Sequence, residues 1–193
     1  MEQNIEKTTE TIALSQKESW LDILKFVITV LAIVIPIRVF VAQPFLVDGL
    51  SMHPTLANHD YLIVDEISYY LGHIQRGDVV VFRYPEDPSK HFVKRMIGLP
   101  GETVTLKEGV VTIKQVDGTI LTLNEPYLTH HSTDNGTYEV PANNYFVLGD
   151  NRTNSADSRY WGFVPKKDLT GRALIRLYPF NKIDLFPGEE RYQ

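Results

Sequence analysis

Hydrophobic and polar positions divide the chain into two regimes. Residues 1–20 are mostly polar, with Glu2, Glu6, Glu10 and Glu18 interspersed with Lys7 and Lys17. The stretch "LDILKFVITVLAIVIPIRVFVAQPF" follows, and from Phe26 to Ala42 its only charged residue is Arg38. Wound as a helix, that run is about 25 Å long, near the lower limit for a bilayer core. Taking in Ile23 and Leu24, with Lys25 and Arg38 snorkelling toward opposite faces, brings it to full length. The pattern therefore predicts a transmembrane helix over 21–43 behind a leader at 1–20, with Pro36 as a kink point. A cleaved signal peptide fits less well, because the leader is long and acidic and no small-x-small pair closes the run. A buried core helix is disfavoured because the run lacks a polar face. Lys17 and Lys25 precede the span, and after Arg38 no Lys or Arg occurs until Arg76. That asymmetry puts the N-terminus in the cytoplasm and the rest of the protein outside, as a single-pass membrane protein.

Beyond the span the period shortens to that of strands. "YLIVDEI", "DVVVFRY", "HFVKRMIG", "VVTIKQV", "TILTL", "NYFVLGD" and "RALIRLY" are short, rich in β-branched or aromatic residues, and bounded by turn formers. Val116–Gly118 reads as a tight hairpin turn. "LPGE" (Leu99–Glu102) and "VPANN" (Val140–Asn144) bracket a polar, Thr-containing stretch. The expected class is mainly β: a core from 44–98 and 144–187, with a smaller β insert or cap at 99–143.

Composition narrows the chemistry. The 193 residues are 43% hydrophobic and 22% charged with a net charge of -5, which suits a globular domain and gives no reason to expect a nucleic-acid partner. Without cysteine there are no disulfides, no thiolate nucleophile and none of the commonest zinc ligand sets. His53, His59, His73, His91, His130 and His131 do not fall into a ligand spacing, so no metal and no cofactor is expected.

Three stretches are candidates for chemistry. "VDGLSMHPTL" (Val47–Leu56) carries Ser51 just after the apolar run. A serine at such a place is ordinarily a turn or cap residue. The hydrolase elbow G-x-S-x-G is not met, because position 53 is His. In "HFVKRMIGLPGE" (His91–Glu102) a strand puts Phe92, Lys94 and Met96 on one face and Val93, Arg95 and Ile97 on the other. A lysine between Phe92 and Met96 can be desolvated, which disfavours its ammonium form. A lysine with a pKa of ~10.4 is neutral only about 0.1% of the time near pH 7.5, whereas one at ~8 is neutral about a quarter of the time, at a cost of about 3 kcal/mol. Arg95 is no base, since a guanidinium keeps its proton. A solvated strand lysine is the competing reading of this segment. "LGDNRTNSADSRYWGFVP" (Leu148–Pro165) packs Asp150, Arg152, Asp157 and Arg159 around Ser155 and Ser158. Its Tyr160–Phe163 end argues for a structured, partly buried loop.

Together "SMHPTL", "KRMIGLPG" and "GDNRTNSADSRYWGFVP", with "GDVVVF" (Gly77–Phe82) between them, resemble the motifs of type I signal peptidases, the serine–lysine proteases that cut signal peptides from exported proteins. The single span and modest insert resemble the Gram-positive form. The resemblance covers most of 19–180. It implies an all-β catalytic core of antiparallel sheets, with Ser51 as nucleophile and Lys94 as general base. It also implies that Ser155 orients that lysine and that Asp150, Arg152, Asp157 and Arg159 form a supporting charge network. A carboxylate beside Lys94 would raise its pKa, so both aspartates should be neutralised by arginines, with Arg95 a partner for Asp150. One departure is Gly49, where some members carry a serine that helps form the oxyanion hole; the Ser51 backbone N–H remains as a donor. The implied substrates are signal peptides of exported preproteins, with small residues at the first and third positions before the cut. Val47, Met52, Leu56 and Val93 are candidate pocket walls, with core packing as the alternative.

Ser51 lies nine residues past Ala42, within about 30 Å of the bilayer even if extended. Pro44–Val47 is expected to dip into the interface, and Trp161 is either an aromatic anchor or core. Two rivals remain at this point: a tethered, non-catalytic β module, and a Ser-His-Asp hydrolase using His53 or His91.

Overall fold

The computed structural model describes residues 20–34, 42–67 and 74–192. The chain divides into two compact units, 1–41 and 42–193. The first contains helix α1, residues 20–34, exposed along its length. At about 1.5 Å per residue it is roughly 22 Å long. Among the described residues no helix is long and apolar enough to cross a membrane. Pro36, Arg38 and the rest of 35–41, which the expected span 21–43 includes, lie outside the described residues, as do His73 and the leader up to residue 19. The C-terminal limit of that span is corrected. Ala42 and Gln43 belong to a strand, β1 (Ala42–Leu46), paired with β2 (Tyr61–Asp65) in the register Ala42↔Asp65 to Leu46↔Tyr61. Pro44 removes a backbone donor, which disfavours a helix but suits a sheet edge.

The second unit is built from antiparallel strands, as the alternating sequence pattern predicts. After β2 come β3 (Val79–Tyr84), β4 (Asp87–Gly98), β5 (Thr103–Lys107), β6 (Val110–Lys114), β7 (Ile120–Thr122), β8 (Gly136–Glu139) and β9 (Asn144–Leu148). A one-turn helix α2 (Ser158–Trp161), β10 (Val164–Pro165), β11 (Leu169–Tyr178) and β12 (Asp184–Leu185) complete the chain. The larger sheet has the order β1-β2-β11-β3-β4-β9-β10, with β12 on β11; the smaller has β7-β6-β5-β8. The Val116–Gly118 hairpin forms: Gln115 N–H donates to Thr119 O (2.8 Å) and Gly118 N–H to Gln115 O (3.0 Å).

The smaller sheet shares a core with the larger one. Ile97, Phe146 and Leu148 of the large sheet pack with Val104, Leu106, Val111 and Ile113 of the small sheet. Their neighbours in sequence, Met96, Tyr145 and Val147, pack on the opposite face with Val80, Phe82 and Leu169. Side chains alternate across a strand, so β4 and β9 are covered on both faces. This placement matters for the site, because it buries adjacent residues of β4 together, whichever way they point.

Candidate active site

Ser51 sits in the connection between β1 and β2. That connection is a set of tight turns: His53 N–H donates to Leu50 O (3.1 Å), Leu56 N–H to Met52 O (2.9 Å) and Ala57 N–H to the Asp60 carboxylate (2.9 Å). A second loop, following β9, clamps it. Asn151 N–H donates to Ser51 O (2.9 Å), and Asn151 Nδ2 to Leu50 O (3.1 Å). Gly149 makes this approach possible: a Cβ there would lie 2.5 Å from Ser51 O and 2.2 Å from Ser155 Oγ.

Lys94, on β4 opposite Val80, is 4% exposed. Its Nζ lies 2.8 Å from Ser51 Oγ, 3.0 Å from Val93 O and 5.2 Å from the centre of the Phe92 ring. Burial lowers its pKa from 10.5 to about 8, against the opposing pull of Asp157 and Asp150. Such an amine can give up its charge near neutral pH and then accept the Ser51 proton across an existing hydrogen bond.

The two aspartates are already occupied by guanidinium groups. Arg95, on the other face of β4, is wholly buried against Asp150, with Nε to Oδ1 at 2.8 Å and Nη2 to Oδ2 at 2.6 Å. Thr55 Oγ1 also donates to Asp150. Asp157 caps α2, accepts from Gly149 N–H (3.0 Å) and binds Arg159 through Nε and Nη2, both at 2.8 Å. Arg152 pairs with Glu125, and Arg159 reaches Asp134 at 2.6 Å.

Glu125, Asp134 and Thr55 were not among the residues singled out from the sequence. The signal for an added acid was an imbalance. Arg95, Arg152 and Arg159 face only Asp150 and Asp157 within the motifs, so a third buried guanidinium needs an acid from elsewhere. The insert supplies it.

Not every expected site residue falls where the sequence placed it. Ser155 Oγ is buried and, among the described residues, makes no hydrogen bond, to Lys94 or to any other group. A cleft of about 530 Å³ opens in front of the pair, with Val47, Leu50, Ser51, Val93, Lys94 and Ala156 among its lining residues. Val47 and Val93 are therefore cleft walls. Met52 and Leu56 are not. At 1% and 0% exposed they pack beneath the site with Leu62, Val79 and Ala173, because the turns point these apolar side chains into the core. Trp161, half-buried, packs on Phe82 and Tyr84 against the core of the larger sheet. His53 is exposed, and His91 lies on the cleft rim with its ring 5.2 Å from that of Phe45. Burial and Arg83 hold the His91 pKa down.

A serine hydroxyl held against a buried amine of depressed pKa, on an interior strand of the larger sheet, is an arrangement that can serve a serine hydrolase without a histidine base. Comparison with known proteins agrees in class and is more specific. Residues 20–178 match the family model described as signal peptidase, peptidase S26. The chain is 40% identical over 198 aligned positions to a probable signal peptidase I-2 of a Synechocystis species, covering 98% of this chain and 88% of that relative. It is also 40% identical over 177 positions to signal peptidase I S of Bacillus subtilis, covering 88% of this chain and 95% of the relative. The chain belongs to the signal peptidase family, peptidase S26, and is a serine peptidase.

Proposed function

We propose that the protein is a membrane-anchored endopeptidase that removes N-terminal signal peptides from exported preproteins after small-x-small sites, with Ser51 and Lys94 as its catalytic dyad. The observation that carries this reading is the 2.8 Å contact between Ser51 Oγ and an Nζ buried enough to be deprotonated. Neutral Lys94 takes the Ser51 proton as Oγ attacks the scissile carbonyl carbon. The oxyanion that forms faces the Ser51 backbone N–H; the Gly49 N–H is held by Asn58 Oδ1 (2.9 Å). Protonated Lys94 then returns its proton to the leaving amine as the C–N bond breaks, leaving an acyl-Ser51 ester. Water, deprotonated by Lys94 in turn, hydrolyses that ester and frees the signal peptide. Asp150 and Asp157 are held by arginines, so Lys94 is not locked in its charged form.

The shallow apolar walls at Val47 and Val93 suit a methyl group. Replacing alanine by leucine at the first or third position before the cut is expected to lower kcat/KM at least about tenfold at each position. The apolar run beginning in α1 would hold the enzyme in the cytoplasmic membrane, N-terminus inside and catalytic unit outside. Exposed Leu46 and Leu50 would then lie near the bilayer surface.

The test is cleavage of a fluorogenic signal-peptide substrate by the detergent-solubilised full chain. Ser51→Ala should abolish turnover, and His53→Ala and His91→Ala should leave it largely intact; cleavage that survives Ser51→Ala would refute the assignment. The pH dependence carries a sign. Activity needs the neutral amine, so kcat/KM should rise with pH and level off above about 8. Stability follows the same direction. The folded pKa is depressed, so the penalty for burying the ammonium is felt below about 8 and is relieved as pH climbs from there to the ordinary value of 10.5.

A further inference from the structure

The segment after β12, residues 186–192, lies beyond the 20–178 matched by the family model. It is pinned along its length. Phe186 N–H donates to Leu174 O (2.8 Å), and its ring lies 4.6 Å from the Arg172 guanidinium. Glu190 O packs so closely on Gly77 that a Cβ at position 77 would lie 2.0 Å from it. Arg191 pairs with buried Asp78 at 2.9 Å, and Tyr192 OH is 3.0 Å from Tyr127 OH. Gly188, midway, has φ +74; a Cβ there would lie 2.1 Å from Thr55 Cγ2 and 3.2 Å from Arg95 Nη2. Its carbonyl accepts a hydrogen bond from Arg95 Nη1.

Gly188 thus touches one residue from each half of the site. Thr55 is four positions after Ser51, and Arg95 is next to Lys94. Both bind the same carboxylate, Asp150. The Tyr127 ring covers the outer face of the Arg95 guanidinium at 3.8 Å. Tyr127 OH donates in turn to Glu125 (2.6 Å), the partner of Arg152.

We propose that residues 186–192 form a strap that positions the dyad by seating Thr55 and holding Arg95 on Asp150. This rests on the Ser51–Lys94 reading and deepens it. A buried guanidinium must place every donor. Asp150 takes Nε and Nη2 of Arg95, while Gly77 O (2.8 Å) and Gly188 O share Nη1. Without the strap, Nη1 loses an acceptor and water gains a path to the pair. Arg95 then turns toward solvent and leaves Asp150 less compensated. Lys94 is faced by Asp150 and Asp157 from the loop after β9 and by Ser51, while Arg95, next to it on β4, points to the opposite face. Behind Arg95 stand Tyr127, Glu125, Arg152, Tyr192 and Glu190. A freer Asp150 stabilises the ammonium, and entering water lightens its desolvation. Both changes make Lys94 harder to deprotonate.

The deciding variant is Gly188→Ala in the full chain, whose added methyl group meets Thr55; a chain ending at Leu185 removes the whole strap. kcat and KM are measured from pH 6 to 10 with the fluorogenic peptide, beside wild type and Ser51→Ala, with thermal melting to check the fold. For Gly188→Ala the rising limb should move up by about one pH unit. That is about an eightfold loss near pH 7.5, carried by kcat with KM little changed, and recovered at the alkaline end. The truncated chain should show the same shift or a larger one. A Gly188→Ala profile that overlays wild type overturns the strap, as does a uniform loss with no displacement in pH. If wild-type cleavage proves independent of Ser51, the dyad reading itself falls; if it is Ser51-dependent and the profile is unmoved, only the strap does.

Discussion

Lys94→Ala is expected to lower kcat/KM for signal-peptide cleavage by about three to four orders of magnitude at every pH, as loss of the proposed general base should. Lys94→Arg should be as damaging, because the guanidinium keeps its proton where the amine releases it. The same substitutions separate catalysis from folding. A protonated amine that is 4% exposed burdens the fold below pH 8, so Lys94→Met should be more stable than wild type at pH 6 while being inactive. Denaturant titration alongside the peptide assay measures both. Cleavage by Lys94→Arg at a hundredth of the wild-type rate or better would remove Lys94 from the mechanism.

Arg95→Ala is expected to cost about 3–5 kcal/mol of stability, because it strands Asp150 as a buried charge. Both side chains of that pair are 0% exposed, so water cannot easily replace the lost partner. Activity should fall as well, since an uncompensated Asp150 holds Lys94 in its charged form. The double variant Arg95→Met, Asp150→Leu should recover most of the stability, because the charge left behind is then gone. Urea midpoints of the two single variants and the double variant decide this. A loss below about 1 kcal/mol for Arg95→Ala would show that the pair is far better hydrated than its burial implies.

The strands were legible because local alternation is a short-range property. "DVVVFRY" and "NYFVLGD" read correctly even though β9 is covered on both faces, since β-branched and aromatic residues mark it. The edge strand β1 was not legible. Its residues continue the apolar run, and only pairing with β2 separates them from a helix. Ser51 and Lys94 stood out only when the three motifs were taken together and in order; singly, one passes for a turn serine and the other for a solvated strand lysine. The Arg95–Asp150 pair followed from charge balance. Glu125, Asp134 and Gly188 were invisible for a common reason: each joins the site through a contact 25 to 93 residues away in sequence. Nothing in "NEPYL" or "FPGEE" announces a partner at that separation. For Met52 and Leu56 the core alternative holds. Proximity in sequence to Ser51 placed them near the cleft, and the turn then aimed them at the core.

Ser51 and Lys94 are separated by 43 residues, and the loop that clamps the Ser51 turn follows a whole intervening sheet. In an unfolded chain Lys94 is an ordinary solvated ammonium and Ser51 an ordinary alcohol. Before folding, therefore, the two groups have neither the contact nor the depressed pKa that the proposed chemistry needs. If these two groups are the dyad, proteolytic competence switches on only when the catalytic unit has packed, which ties the appearance of activity to folding.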